Sequence, residues 1–292
     1  MSVTVIALVL VSAFLHAAWS ASIKGSRSPL AFNVTQTLVT LPFAALGLLS
    51  VDRETFSPQL LAWAAGTGVS HGLYLYWLSR ALARADLTLA YPIVRSTPAL
   101  LPLLAVPVLG EIPSPLGALG ITVVVAGVWL VHGAGLSAET LTAPALRYAW
   151  LTLLATVGYS LSDKAAMAAL DAGGVETALP TALVWFCVLS IGGSAVFLPL
   201  ALRELPRSEL RRSLRQEPRR AAVAVVVSLA GYGLILEAFR LAPASYVVAV
   251  RQSSVLFAAW IGVAFLGERP DRRRLAGAAA TVAGVGLIGF GG

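Results

Sequence analysis

The sequence predicts an all-α polytopic membrane protein, ten transmembrane helices arranged as two inverted five-helix repeats. Three observations lead there: composition, an internal repeat and the placement of Lys and Arg. Of 292 residues, 58% are hydrophobic and 12% are charged, about half the charge of an ordinary soluble domain. Mean hydropathy is +0.82. The surface of a soluble globule of 30.4 kDa could not be covered with so few polar groups. Disorder needs the opposite balance, low hydrophobicity and high charge. Cys187 is the single cysteine, which excludes a disulfide framework and a cysteine-based metal site.

A spanning helix needs about 20 mostly apolar residues. Ten runs qualify, at 3–23, 30–50, 59–80, 87–109, 115–135, 146–168, 178–202, 220–240, 244–266 and 272–290. The first could pass for a signal peptide, but Met1–Leu15 holds no Lys or Arg. Without a basic n-region it is expected to be a structural helix. The fourth run carries Pro92 and Pro98, which free backbone carbonyls and permit a kink. Unbroken apolar runs such as Ile121–Val131 and Ala221–Ala230 favour helices over the alternating strands of a barrel. The connection 203–219 is the longest and is basic, with Glu204, Glu209 and Glu217 interleaved. It is expected to set topology and touch anionic lipid. The last run holds Gly277, Gly284, Gly286 and Gly289, a close-packing or homodimer face.

The repeat sets the architecture. Shifted by 157 residues, 81–131 lies on 238–288 without a gap. Leu109-Gly110-Glu111 meets Leu266-Gly267-Glu268, Pro113 meets Pro270, and Val125-Ala126-Gly127-Val128 meets Val282-Ala283-Gly284-Val285. At a shift of 140, Trp19–Lys24 lies on Tyr159–Lys164. The halves are therefore residues 1–137 and 144–292. Five is odd, so the second half enters the membrane inverted.

The charges test this independently, because Lys and Arg favour cytoplasmic loops. Odd-numbered loops carry Lys24, Arg27, Arg80, Arg84, Arg147, the arginines of 203–220, Arg269 and Arg272–Arg274, sixteen in all. Even-numbered loops carry three: Arg53, Lys164 and Arg240. Odd loops are thus expected in the cytoplasm and both termini in the periplasm. The excess of positive charge reports topology, not a nucleic-acid partner. Inverted repeats are a transporter architecture, with substrate bound near the midplane between them.

Ten helices in two halves, each closing with Leu-Gly-Glu before a Gly-rich helix, resemble the EamA-type drug/metabolite transporter superfamily. His16-Ala-Ala-Trp19-Ser20, with Leu89-Ala-Tyr91-Pro92-Ile-Val-Arg95, is similar to a bacterial branch sometimes associated with phosphonate utilisation. There the first motif usually reads H-A-x-W-N; here Ser20 replaces the Asn. The resemblance implies a multi-pass protein of the bacterial inner membrane. It implies export or exchange of small metabolites, often coupled to protons or a counter-substrate.

Charges inside a bilayer cost at least about 2.5 kcal/mol each on insertion scales, so they face a partner or a wet cavity. Arg95 lies between Pro92 and Pro98 and is the leading candidate to hold an anionic substrate group by a bidentate contact. Arg251 is its near-counterpart in the second half. An ion pair or gate contact between Arg251 and Asp163 or Glu237 is the alternative, though Arg240, one turn after Glu237, could neutralise that acid instead. His16 and His71 fall near the middle of their helices, where imidazoles exchange protons or donate to substrate. Trp19, Tyr74, Tyr91 and Tyr159 supply candidate aromatic walls. Glu111 and Glu268 are expected to cap the helices that follow them.

No G-x-x-x-x-G-K-[ST] loop and no H-E-x-x-H is present. The leading expectation is therefore a secondary transporter for a small polar or anionic metabolite, working by alternating access with neither cofactor nor metal. Its partners are a small-molecule substrate and membrane lipid. The alternative is a flippase for a lipid-linked substrate, whose cavity would open sideways to lipid. An intramembrane enzyme is the remote third.

Overall fold

The computed structural model describes residues 1–84, 87–132, 141–173, 178–257, 259–260 and 271–291. The second Leu-Gly-Glu, Arg269 and Pro270 lie outside them. The described residues form helices and turns, with no strand among them. In chain order the helices are α1 (Val3–Lys24), α2 (Pro29–Leu49), α3 (Pro58–Arg84), α4 (Leu87–Val94), α5 (Thr97–Leu109), α6 (Pro115–His132), α7 (Arg147–Ala172), α8 (Thr181–Glu204), α9 (Arg207–Gln216), α10 (Pro218–Leu241), α11 (Ala244–Arg251) and α12 (Arg272–Gly291).

Local sequence explains many of the ends. Ser2 and Ser28 cap α1 and α2 by accepting from the amides of Val5 and Ala31. Pro29 follows at the first helical position, where its missing N–H is no loss. Gly110 ends α5 at φ 69°, the left-handed conformation glycine adopts without strain. Ser114 then accepts from Gly117 N at 3.0 Å to start α6.

Six helical stretches among the described residues are long and apolar enough to cross a membrane: Val3–Ile23, Pro29–Leu49, Ala90–Leu109, Thr181–Glu204, Pro218–Leu241 and Arg272–Gly291. Pro115–Val131 is apolar but shorter. α3 and α7 are long enough at 27 and 26 residues, yet fail on hydropathy. Both carry inward-facing polar groups, Thr67 and His71 on one, Ser160 and Asp163 on the other.

The run 87–109 is not one straight helix. It breaks at Arg95-Ser96, between α4 and α5. Pro98 cannot donate to the Val94 carbonyl; Thr97 Oγ1 takes that place at 3.4 Å. Ser96 Oγ donates to Pro92 O at 2.7 Å and accepts from Trp129 Nε1 at 2.9 Å. The repeat-equivalent run breaks at the equivalent site, Gln252-Ser253, after α11. There the chain has no proline; the amides of Gln252 and Ser253 instead bond three residues back, to Ala249 and Val250. The 203–219 connection also departs from the sequence reading, since α9 is helical. Its Ser213 is buried and accepts from Thr35 Oγ1 at 2.9 Å, which docks α9 on α2.

Packing pairs elements across the chain. α1 lies on α10, and α3 on α7 and α8; α2 packs on α8 and α10, and α6 on α12. The glycines of α12 expected at a dimer face are partly used within the chain. A Cβ on Gly277 would meet Val131 N and Gly127 O, and one on Gly284 would meet Gly120 O and Val124. The helices touch through backbone because no side chain separates them.

Candidate functional site

The centre of the molecule holds a two-lobed cavity. Its lobes share five wall residues: His16 and Trp19 from α1, Tyr74 from α3, Tyr159 from α7 and Arg251 from α11. The first lobe adds Tyr91 and Arg95 and extends past Ile23, Ala81 and Ala90, toward the ends of α1 and α3 and the start of α4. The second adds His71. The space a water-sized sphere can occupy is about 60 Å³ in the first lobe and 120 Å³ in the second. All eight candidate substrate-contacting residues thus line one space.

The two helix breaks place the two arginines. Arg95 sits in the turn after α4, where its Nη1 donates to Ser254 Oγ at 2.9 Å and its guanidinium lies 5.9 Å from the Tyr91 ring centre. Arg251 ends α11. Its Nη2 is 3.4 Å from His16 Nδ1, and its guanidinium is 5.2 Å from the Tyr232 ring centre. Its Nε is buried without a hydrogen-bond partner, as is Oε1 of the adjacent Gln252. Among the described residues neither arginine has a carboxylate within ion-pair distance.

The acids expected near Arg251 are engaged elsewhere. Glu237 faces outward and pairs with Arg240 at 3.0 Å; Arg240 also holds Asp171 at 2.7 Å. One helical turn brings Glu237 and Arg240 together on the surface, whereas Arg251 points inward. Asp163 is fully buried. It accepts from Thr67 Oγ1 at 2.5 Å, from Trp185 Nε1 at 2.8 Å and from Tyr232 OH, and His71 Nε2 lies 3.2 Å away. His71 also stacks on Tyr159 at 4.1 Å between ring centres. Nothing in the sequence pointed to Thr67 and Trp185 as partners of Asp163. They come from α3 and α8, and only packing brings them to α7.

Glu111 corrects a second expectation. It does not cap α6. Its Oε2 accepts from Ala244 N at 2.7 Å, at the start of α11, and its Oε1 lies 3.4 Å from Lys164 Nζ. Lys164 also donates to Phe239 O at 2.5 Å and Ala242 O at 3.1 Å. The left-handed turn at Gly110 carries Glu111 across to the other half, and α11 lacks a side-chain cap of its own because Pro243 precedes it. Glu111→Ala is expected to lower stability by roughly 2 kcal/mol, since it removes charge-assisted bonds and strands Lys164. A lower melting temperature in detergent is the readout; an unchanged one would contradict this reading.

Comparison with known proteins fits this architecture. The family model described as the EamA-like transporter family matches residues 3–133 and 146–290. Among curated proteins none matches this sequence. Of solved structures, 28 chains match. One, described only as the crystal structure of a protein, superposes with a TM-score of 0.70 over 98% of this chain and 96% of that one. At 17% identity it speaks to fold alone. The matched family is one of transporters rather than enzymes, and it agrees with apolar helices wrapped around a cavity lined by aromatic side chains, two arginines and two histidines. This multi-pass membrane protein belongs to the EamA-like transporter family.

Proposed function

We propose that the protein is a secondary transporter of a small anionic metabolite, a carboxylate or phosphonate, which binds between Arg95 and Arg251 and crosses the inner membrane by alternating access. The carrying observation is that pair of arginines in one cavity with no acid partner among the described residues. A guanidinium in a low-dielectric site needs a counter-charge or a wet cavity, and its fork matches carboxylate and phosphonate oxygens. Trp19, Tyr74, Tyr91 and Tyr159 supply apolar walls.

Ten spans in two inverted halves are part of this reading. Its support is the equivalent breaks after α4 and α11, the two matched stretches on either side of residue 140, and packing that respects a two-fold. Gly120 meets Gly284 as Gly127 meets Gly277, the same contact with the halves exchanged. On the charge-based topology, the end of the first lobe near Ile23, Ala81 and Ala90 faces the cytoplasm. The contact of Glu111, Lys164 and the start of α11 then closes the periplasmic side, and opening there requires these bonds to part.

A stability screen of the purified protein tests the substrate class, because a bound ligand stabilises the native state. Phosphonoacetate, 2-aminoethylphosphonate and succinate are expected to raise the melting temperature; leucine and putrescine are not. Stabilisation by putrescine alone would overturn the anion reading. For topology, a reporter active only in the cytoplasm is expected to be silent when fused at Gly292 and active when inserted in α9. The reverse pattern would overturn the orientation.

A further inference from the structure

The two cavity histidines sit in opposite hydrogen-bonding situations. His16 Nδ1 faces Arg251 Nη2 at 3.4 Å. A guanidinium only donates, so this nitrogen accepts, and a proton placed on it would confront a fixed cation. His71 Nε2 instead faces Asp163 Oδ2 at 3.2 Å. That carboxylate already accepts from Thr67, Trp185 and Tyr232. Accepting from every side is the role of an ionised carboxylate, and His71 Nε2–H is the fourth donor. His71 also lines the cavity, so its ring joins a buried anion to the space that substrate and water would enter.

The geometry points to His71, seated on Asp163, as the proton-binding site of the transport cycle, with His16 as a fixed neutral acceptor for Arg251. The proton adds to Nδ1, the ring nitrogen turned away from Asp163. An N–H bond forms as an O–H bond of a cavity hydronium breaks; no electrons are transferred. Nε2–H stays on Asp163, so the imidazolium is paired as it forms. The proton leaves to water from Nδ1 when the cavity faces the other side.

Every neighbouring element contributes to this site. α7 presents Asp163 and the stacked Tyr159. α10 presents Tyr232, edge-on at 5.3 Å between ring centres. α11 brings Arg251, α1 brings His16, and α3 itself brings Tyr74 to the shared wall. From α8 Gly193, which carries no charge, packs beside the Cβ of His71. The fixed cation Arg251, with Arg95 in the adjoining lobe, opposes a second positive charge on His71 until an anion enters. Proton and anion would therefore load together and move in the same direction, a consequence that rests on the anion-site reading above.

The test is a nitrogen NMR titration of the full-length protein in detergent, with ¹⁵N-histidine labelling. The chain has three histidines, so His16→Gln and His71→Gln suffice to assign the signals. His71 is expected to be the histidine that takes up a proton on acidification, because its Nε2–H remains paired with Asp163. His16 is expected to stay neutral. Asp163→Asn, if it folds, should leave His71 neutral throughout; the wild-type titration stands without it. A folded protein in which His71 stays neutral, or in which His16 is the one that protonates, overturns the proposal. These measurements need no substrate, so they stand apart from the anion reading. Adding phosphonoacetate at neutral pH should raise the cationic fraction of His71. Protonation of His71 without that response supports the proton site and counts against the anion site.

Discussion

Arg95→Gln and Arg251→Gln are each expected to abolish measurable uptake of a carboxylate or phosphonate into proteoliposomes while the protein stays folded. Truncating one partner of a buried, hydrogen-bonded charge pair costs about 2–5 kcal/mol, which is roughly 30-fold to several thousandfold in affinity. Glutamine keeps hydrogen-bonding capacity and much of the volume, so packing around the helix breaks is disturbed little. In the substrate-free protein neither arginine pairs with a carboxylate among the described residues, so neither change strands a buried anion. Melting temperatures should therefore hold steady. Arg95→Lys is the sharper variant. It keeps the charge and loses the fork, and is expected to recover only part of the transport, because an ammonium cannot make the paired contact. Ser254→Ala removes the hydroxyl that holds Arg95 and should weaken binding less than loss of the guanidinium. Wild-type uptake by both glutamine variants would refute the site.

Gly127→Leu and Gly284→Leu are expected to prevent folding into a monodisperse species. A Cβ on Gly127 would lie 2.5 Å from Thr281 Oγ1 and 2.8 Å from Gly277 O. One on Gly284 would lie 2.7 Å from Gly120 O and 2.8 Å from Val124 N. Backbone cannot turn aside as a flexible side chain does, so α6 and α12 would have to separate. Overpacking a well-filled interior costs about 1–3 kcal/mol where side chains can shift; here the cost exceeds that range. Gly286→Leu is the control, since nothing lies within 4 Å of its added Cβ. It should elute and melt like wild type. Equal behaviour of Gly284→Leu and Gly286→Leu in size-exclusion chromatography would refute the close contact.

Much of this protein can be read from one sequence because lipid is a severe constraint. Backbone groups in hydrocarbon must satisfy themselves, so long apolar runs become helices. Among the described residues the runs chosen on that ground are helical apart from some of their ends and the breaks at Arg95-Ser96 and Gln252-Ser253. Intramembrane charge is rare, so Arg95, Arg251, His16 and His71 stood out, and all four reach the same cavity. The misreadings share one cause, which is that sequence spacing does not reveal what lies opposite. Glu111 looks like a cap for the next helix because that helix begins four residues on, at Pro115; Gly110 turns it toward α11 instead. Glu237 looks like a partner for Arg251 by depth alone, yet helical periodicity turns it to the surface and Arg240. Gly277 and Gly284 read correctly as a close-packing face, but spacing alone does not say that α6 is what packs there.

The sequence by itself determined helical secondary structure, membrane residence and the inventory of polar groups that must be accommodated, because hydropathy and charge act residue by residue. Only the tertiary structure decided which of those groups meet. Asp163 acquires its partners from three other helices, and two arginines about 150 positions apart share one wall. Such meetings depend on how helices cross and where they break, and a break like that at Gln252-Ser253 leaves no proline to announce it.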